Sequence, residues 1–145
     1  MVQVLSNLCK KCDGKCCKEF EIFLTRDDLN KLKKFKGKFK IKKEGSAFAM
    51  HHSKKCYFLS KNGCILNENQ KPLDCRLFPL AFIVKNKKLE FYLTKECPFL
   101  KDLPKKWIKN TKLIAQRCIK NWSEKEKNSY NNLIKKYILK DSFKI

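Results

Sequence analysis

Arginine is nearly missing from a chain crowded with basic residues. Lysine and arginine together number 35 against 14 acidic residues, a net charge of +21, yet only Arg26, Arg76 and Arg117 are arginine. A field of that sign draws nucleic acid or any acidic partner without specificity. Reading base edges and forking phosphates favour arginine. Its scarcity argues against nucleic-acid recognition as the main function, and the lysine excess reads as a solvated surface. Glycine is also short, four in 145 residues, and no G-x-G-x-x-G loop is present to cradle a nucleotide-like group. No stretch approaches the roughly 18 apolar residues that cross a bilayer. The opening MVQVLSNLC has neither a basic n-region nor an adequate apolar h-region, so the expectation is a cytoplasmic protein with no membrane association. Nucleophile–histidine–carboxylate constellations and paired carboxylates are missing too, which argues against hydrolase chemistry.

Cysteine, by contrast, is abundant: nine residues, of which Cys9, Cys12, Cys16 and Cys17 fall in one short polar run. A second group follows at Cys56, Cys64, Cys75 and Cys97, and Cys118 stands apart in a helical pattern. Two thiolates separated by two residues form a chelate, because a tight turn points both sulfurs at one metal. An odd count in a chain without a secretion signal favours metal or redox chemistry over disulfides, and adjacent cysteines are poor disulfide partners. Setting Cys118 aside as a buried apolar thiol, the candidate metal ligands are Cys9, Cys12, Cys16, Cys17, Cys56, Cys64, Cys75 and Cys97. Eight thiolates suit one or two centres of zinc or iron–sulfur type. The compact run followed by a distant Cys97-Pro98 tilts the choice towards a [4Fe–4S] cluster, although the spacing differs from that of bacterial ferredoxins. His51 and His52 precede Cys56, and since strand neighbours point apart at most one of them could ligate with it. Arg76 beside Cys75 is a candidate cofactor-binding residue, donating hydrogen bonds to a thiolate or cluster sulfide.

The rest of the chain predicts an α+β fold: a small, irregular, metal-centred domain with short β-hairpins, one N-terminal helix and a C-terminal helical hairpin. The length of 145 residues suits a single domain with one modest core. Residues 1–100 form its cysteine-cluster region and 104–140 its helical hairpin. Phe20 to Leu24 reads as a strand. Thr25 caps a helix from Arg26 to about Phe35, with Asp27 and Asp28 in the first turn and Gly37 beyond the end. Phe39 to Lys43 alternates as a half-exposed strand. Asn62-Gly63 turns a hairpin that brings Cys56 and Cys64 to one end. Pro72 and Pro79 bracket a turn or a single helical turn carrying Cys75. A further hairpin turns at residues 85–88. A helix from Lys105 to about Asn121 places Trp107, Ile114, Cys118 and Trp122 near one face. Ser123-x-x-Glu126 is a capping box that opens a second helix with the stripe Tyr130, Leu133, Ile134, Tyr137 and Ile138.

Taken as a set, Cys9-x2-Cys12-x3-Cys16-Cys17, Cys56…Cys64-Ile65, Lys71-Pro72-x2-Cys75-Arg76-x-Phe78-Pro79 and Cys97-Pro98 resemble the zinc- or iron-chelating cysteine-cluster (CxxCxxxCC) proteins. The resemblance covers about residues 9–98. It departs where the family usually has arginine before the proline and this chain has Lys71. It implies metal binding. Some members are linked to lysine N-methylation of flagellin, with an iron–sulfur cluster implicated; the cysteines, this resemblance and the +21 charge each support one of three functions, in order. The first is a cytoplasmic metal-binding protein holding an iron–sulfur cluster or zinc as a structural or redox-active centre, with its biochemical role unassigned and another protein as a possible partner. The second is an iron–sulfur-dependent protein lysine N-methyltransferase or its subunit, the only case that calls for S-adenosylmethionine. The third is a zinc-ribbon-like nucleic-acid binder.

Overall fold

A computed structural model describes residues 14–19, 21–51 and 54–145, with the backbone alone described at Cys16, Glu19 and His51. It is mixed α and β, with short antiparallel hairpins and long C-terminal helices, as the sequence predicts. The chain divides into two compact units. The first holds Met1–Lys43 and Phe48–Arg76, the second Glu44–Ala47 and Leu77–Ile145.

In the first unit a short helix α1, Lys15–Glu19, precedes strand β1, Ile22–Leu24. Helix α2, Arg26–Lys31, starts at Thr25 for a local reason. The Thr25 hydroxyl accepts from the Asp28 N–H, and the Asp28 carboxyl accepts from the Thr25 N–H, a reciprocal cap that satisfies two end donors. The helix is shorter than expected and tightens into a 3₁₀ turn, Lys33–Phe35, before Gly37 at φ 81°. Strands β2, Lys40–Glu44, and β3, Ala47–His51, complete a sheet in the order β1-β3-β2, with Ile22 opposite Met50 and Leu24 opposite Phe48. The small hairpin of β4, Leu59–Ser60, and β5, Gly63–Cys64, turns through Lys61-Asn62, one residue earlier than expected. The Ser60 hydroxyl sets that register by accepting from the Asn62 N–H and donating to the Gly63 carbonyl. Helix α3, Leu73–Leu77, is the single helical turn expected between the prolines. The core of the unit is Ile22, Leu24, Leu32, Met50, Phe58 and Leu66 together with Cys56, and Cys17 and Cys75 pack against it.

In the second unit strands β6, Leu80–Lys85, and β7, Lys88–Thr94, pair closely, with Phe82 opposite Phe91. Asn86 and Lys87, both at positive φ (51° and 62°), form the turn between them, the conformation a two-residue hairpin needs to match strand twist. Helix α4, Lys105–Ile119, buries Trp107, Thr111 and Ala115; Ile114, Cys118 and Trp122 are only half-buried, so the inward face is turned from the expected one. Thr111 and Ala115 are small enough to let the helix approach β6 closely. Helix α5, Glu124–Tyr137, begins at the Ser123–Glu126 capping box and buries Tyr130, Leu133 and Ile134 as expected, together with Asn131. Tyr137 is exposed. Phe82, Trp122 and Tyr130 form one aromatic cluster, with Phe82 and Tyr130 stacked at 4.9 Å. A strand the sequence reading missed, β8, Ser142–Lys144, adds to β7 with Leu93 opposite Phe143. The Asn131 amide covers the open edge of β6, its oxygen accepting from the Val84 N–H (2.8 Å) and its nitrogen donating to the Val84 carbonyl (2.7 Å).

Candidate metal centre

The described cysteines of the first unit lie on stretches far apart in sequence, and Cys17, Cys56 and Cys75 pack into or against one core cluster. Cys17 sits on α1, Cys56 before β4, Cys64 on β5 and Cys75 on α3. Cys17 and Cys56 are joined through the backbone, the Cys56 N–H donating to the Cys17 carbonyl at 2.6 Å. Cys56 is buried, Cys17 and Cys75 half-buried, and Cys64 exposed as a residue.

The electrostatics bind these four thiols into one group. Burial pushes the Cys56 thiol up to about 11, and negative charge at Cys17 and Cys64 adds to the rise. Burial raises Cys64 as well, and Cys17 contributes, while the Lys71 ammonium pulls it back. The Cys75 thiol stands well above the ordinary range, first through burial, then through Asp74 and through Cys17, Cys56 and Cys64. Each of these groups resists ionisation first because burial disfavours the charged form, and then because its neighbours are also acids. Such a set holds its protons until a cation displaces them. The backbone opposes part of that rise, through the N–H groups of Phe58 and Leu59 at Cys56 and of Leu66 at Cys64.

Two carboxyls, on buried Asp28 and half-buried Asp74, tie the Cys75 helix to the main chain of neighbouring elements. Asp28 Oδ1 accepts from the Leu73 N–H at 3.1 Å, and its Oδ2 accepts from the Thr25 N–H at 2.8 Å. Asp74 Oδ2 accepts from the Phe23 N–H at 3.2 Å. Burial raises Asp28 above the usual carboxylate range. It raises Asp74 to about 7, with the Asp28 charge adding to the effect. Neither role was legible in the sequence, where Asp28 read only as a first-turn acid and Asp74 had no assignment.

The other candidates fall elsewhere. Cys9, Cys12, His52 and the side chains of Cys16 and His51 lie outside the described residues. Cys97 follows β7 and Cys118 sits on α4; both belong to the second unit, both half-buried. Arg76 lies on α3 one residue after Cys75, and among the described residues its guanidinium has no hydrogen-bond or ion-pair partner. Also among the described residues, no three His, Cys, Asp or Glu side chains are already arranged to hold a metal ion.

The donor chemistry fits a soft or borderline metal: four thiols, one buried and two half-buried, suit zinc or iron–sulfur and offer little to magnesium or calcium. Cys17, Cys56, Cys64 and Cys75 are the described residues that would hold it. The comparison with known proteins agrees in class. Residues 8–118 match the family described as "CxxCxxCC: Putative zinc- or iron-chelating domain", and the chain belongs to that family. It is a metal-binding protein by that membership. No curated protein and no solved structure matches the chain. No helix among the described residues is long and apolar enough to cross a membrane.

Proposed function

We propose that the first unit is a thiolate metal centre in which Cys17, Cys56, Cys64 and Cys75 are ligands, drawing further thiolates from Cys9, Cys12 and Cys16. The supporting observation is the mutual influence of those four thiols, each of the shifted ones raised partly by the charge of the others. A cysteine buried as a small hydrophobe is ordinary in a core. Four drawn from four stretches far apart in sequence, two with backbone N–H groups that favour the thiolate, are better explained by ligation. The occupant in this reading is a [4Fe–4S] cluster ahead of zinc, because a compact cysteine run followed by a distant Cys97-Pro98 echoes cluster-binding loops. When bound, an iron–sulfur cluster would supply one-electron chemistry, and zinc a structural clamp. The chain's own residues would hold thiolates in place, exclude water and keep the Cys75 helix docked through Asp28 and Asp74. Thiol ligands of this kind persist under reducing conditions, so the setting proposed is the cytoplasm.

Anaerobic purification followed by metal and sulfide analysis and an absorbance spectrum tests this. Stoichiometric iron and sulfide with a broad band near 400 nm is the expected result. Colourless protein carrying zinc would overturn the cluster but keep the thiolate centre. A metal-free chain that stays folded under reductant and retains neither metal would overturn both.

A further inference from the structure

The lysines are not spread evenly around the first unit. From Leu29 to Lys43 the sequence LNKLKKFKGKFKIKK holds no acidic residue, and none appears again from Gly45 to Asn67. Lys34, Lys36, Lys38 and Lys40 are exposed along the first of these stretches, and Lys54 and Lys55 along the second. None of these six is ion-paired with a carboxylate among the described residues. Between them stand aromatic rings that the sequence separates by about 20 positions and the fold unites. Phe58, fully buried, is the hub. Phe35, Phe39 and Tyr57 surround it at centroid distances of 5.0, 5.3 and 5.2 Å. Tyr57 also lies 6.3 Å from Phe39. The outer rings reach solvent: Phe35 and Phe39 are half-buried, and Tyr57 is 46% exposed. Lys34 rests its ammonium 5.1 Å from the Phe35 centroid.

We propose that this surface is a platform for single-stranded nucleic acid, bound without regard to sequence. Lysines at alternate positions track a phosphate backbone as point charges, which requires no arginine forks. Partly exposed rings offer stacking faces that every base can use. An acidic peptide would engage the ammonium groups but leave the rings idle, and a duplex has its bases already stacked and offers them nothing. The proposal is independent of which metal the thiols hold.

The test is fluorescence anisotropy with a labelled 20-nucleotide single strand and the full reduced, metal-replete chain, against a hairpin duplex and polyglutamate as competitors. Tyr57→Ala is expected to weaken single-strand binding at least about fivefold, the lower end of what one stacked base contributes. Lys36→Gln/Lys38→Gln/Lys40→Gln should reduce the salt slope by about 2, at about 0.7 per lost phosphate contact. A charge-matched triple on exposed helix positions of the second unit, Lys109→Gln/Lys125→Gln/Lys135→Gln, should change the slope far less. The proposal is overturned if duplex or polyglutamate competes as well as the single strand, if Tyr57→Ala binds as tightly as the parent, or if both lysine triples lose equally. Should Tyr57→Ala fail to fold, the two lysine triples, exposed throughout, decide it.

Discussion

Replacing Asp28 with alanine strikes the joint on which the Cys75 helix depends. Asp28 is 1% exposed, and both of its oxygens accept from main-chain donors, Thr25 N–H and Leu73 N–H. Alanine leaves the Leu73 N–H buried with no acceptor, at a cost of about 1–3 kcal/mol. It also removes half of the reciprocal cap on α2, worth about 1 kcal/mol. The expected loss is therefore about 2–4 kcal/mol. Where metal binding and folding are coupled, the same quantity appears as a drop of roughly 30- to 900-fold in apparent metal affinity. Asp28→Asn keeps one acceptor oxygen and should lose roughly half as much. The pH dependence has a definite sign. Burial raises the carboxyl above its ordinary value of 3.8 in the folded chain, so the native state holds that proton more tightly than the unfolded state. Its contribution is largest below pH 4 and shrinks as pH rises through the raised value. Alanine does not titrate, so the gap between parent and variant should narrow from pH 4 towards pH 7. Urea unfolding followed by circular dichroism, with zinc competition at pH 7, measures both quantities. A loss under about 0.5 kcal/mol, or a gap that widens with pH, would refute the joint described here.

Metal uptake should expel protons: with Cys56 at about 11 and Cys64 and Cys75 also raised, loading zinc at pH 7 should release about three per centre from these thiols alone in a weakly buffered titration. The same shifts make the metal-free fold lose stability as pH climbs above the ordinary thiol value of 9.0, and fewer than two protons released would contradict the reading. Cys56→Ser should abolish retention of metal through a desalting column, while Cys118→Ser, on α4 in the second unit, should retain it; elemental analysis of the two variants decides. Ser123→Ala removes one side of the α5 capping box and should cost about 1 kcal/mol in thermal unfolding with metal content unchanged.

What the sequence revealed and what it hid divide by range. The Thr25 and Ser123 caps, the helical turn between Pro72 and Pro79, and the turn at Asn86-Lys87 are decided by residues within seven positions of one another, and all were legible. Strand β8 is three residues that become a strand only because β7 stands beside them. The inward face of α4 was misjudged because hydrophobicity pointed to Ile114 and Cys118, whereas close approach to β6 selected Thr111 and Ala115. At the candidate centre, the cysteines announced their chemistry through residue type and local spacing. Which thiols meet is a tertiary fact, and so is the help that Asp28 and Asp74 give from across the unit.

The amide of Asn131 occupies both hydrogen-bonding groups of Val84 on the outer strand of the β6-β7-β8 sheet. A bare strand rim is a template on which a second molecule can lay its own backbone. One side chain thus closes that stretch of the rim to another backbone. The lysine-rich strand β2, at the rim of the other sheet, reaches the same end by charge repulsion. The two safeguards fail under different conditions: salt weakens the second and leaves the first intact. Asn131→Ala should therefore self-associate in sedimentation even at low ionic strength, whereas the parent should stay dispersed there and begin to associate only as salt rises.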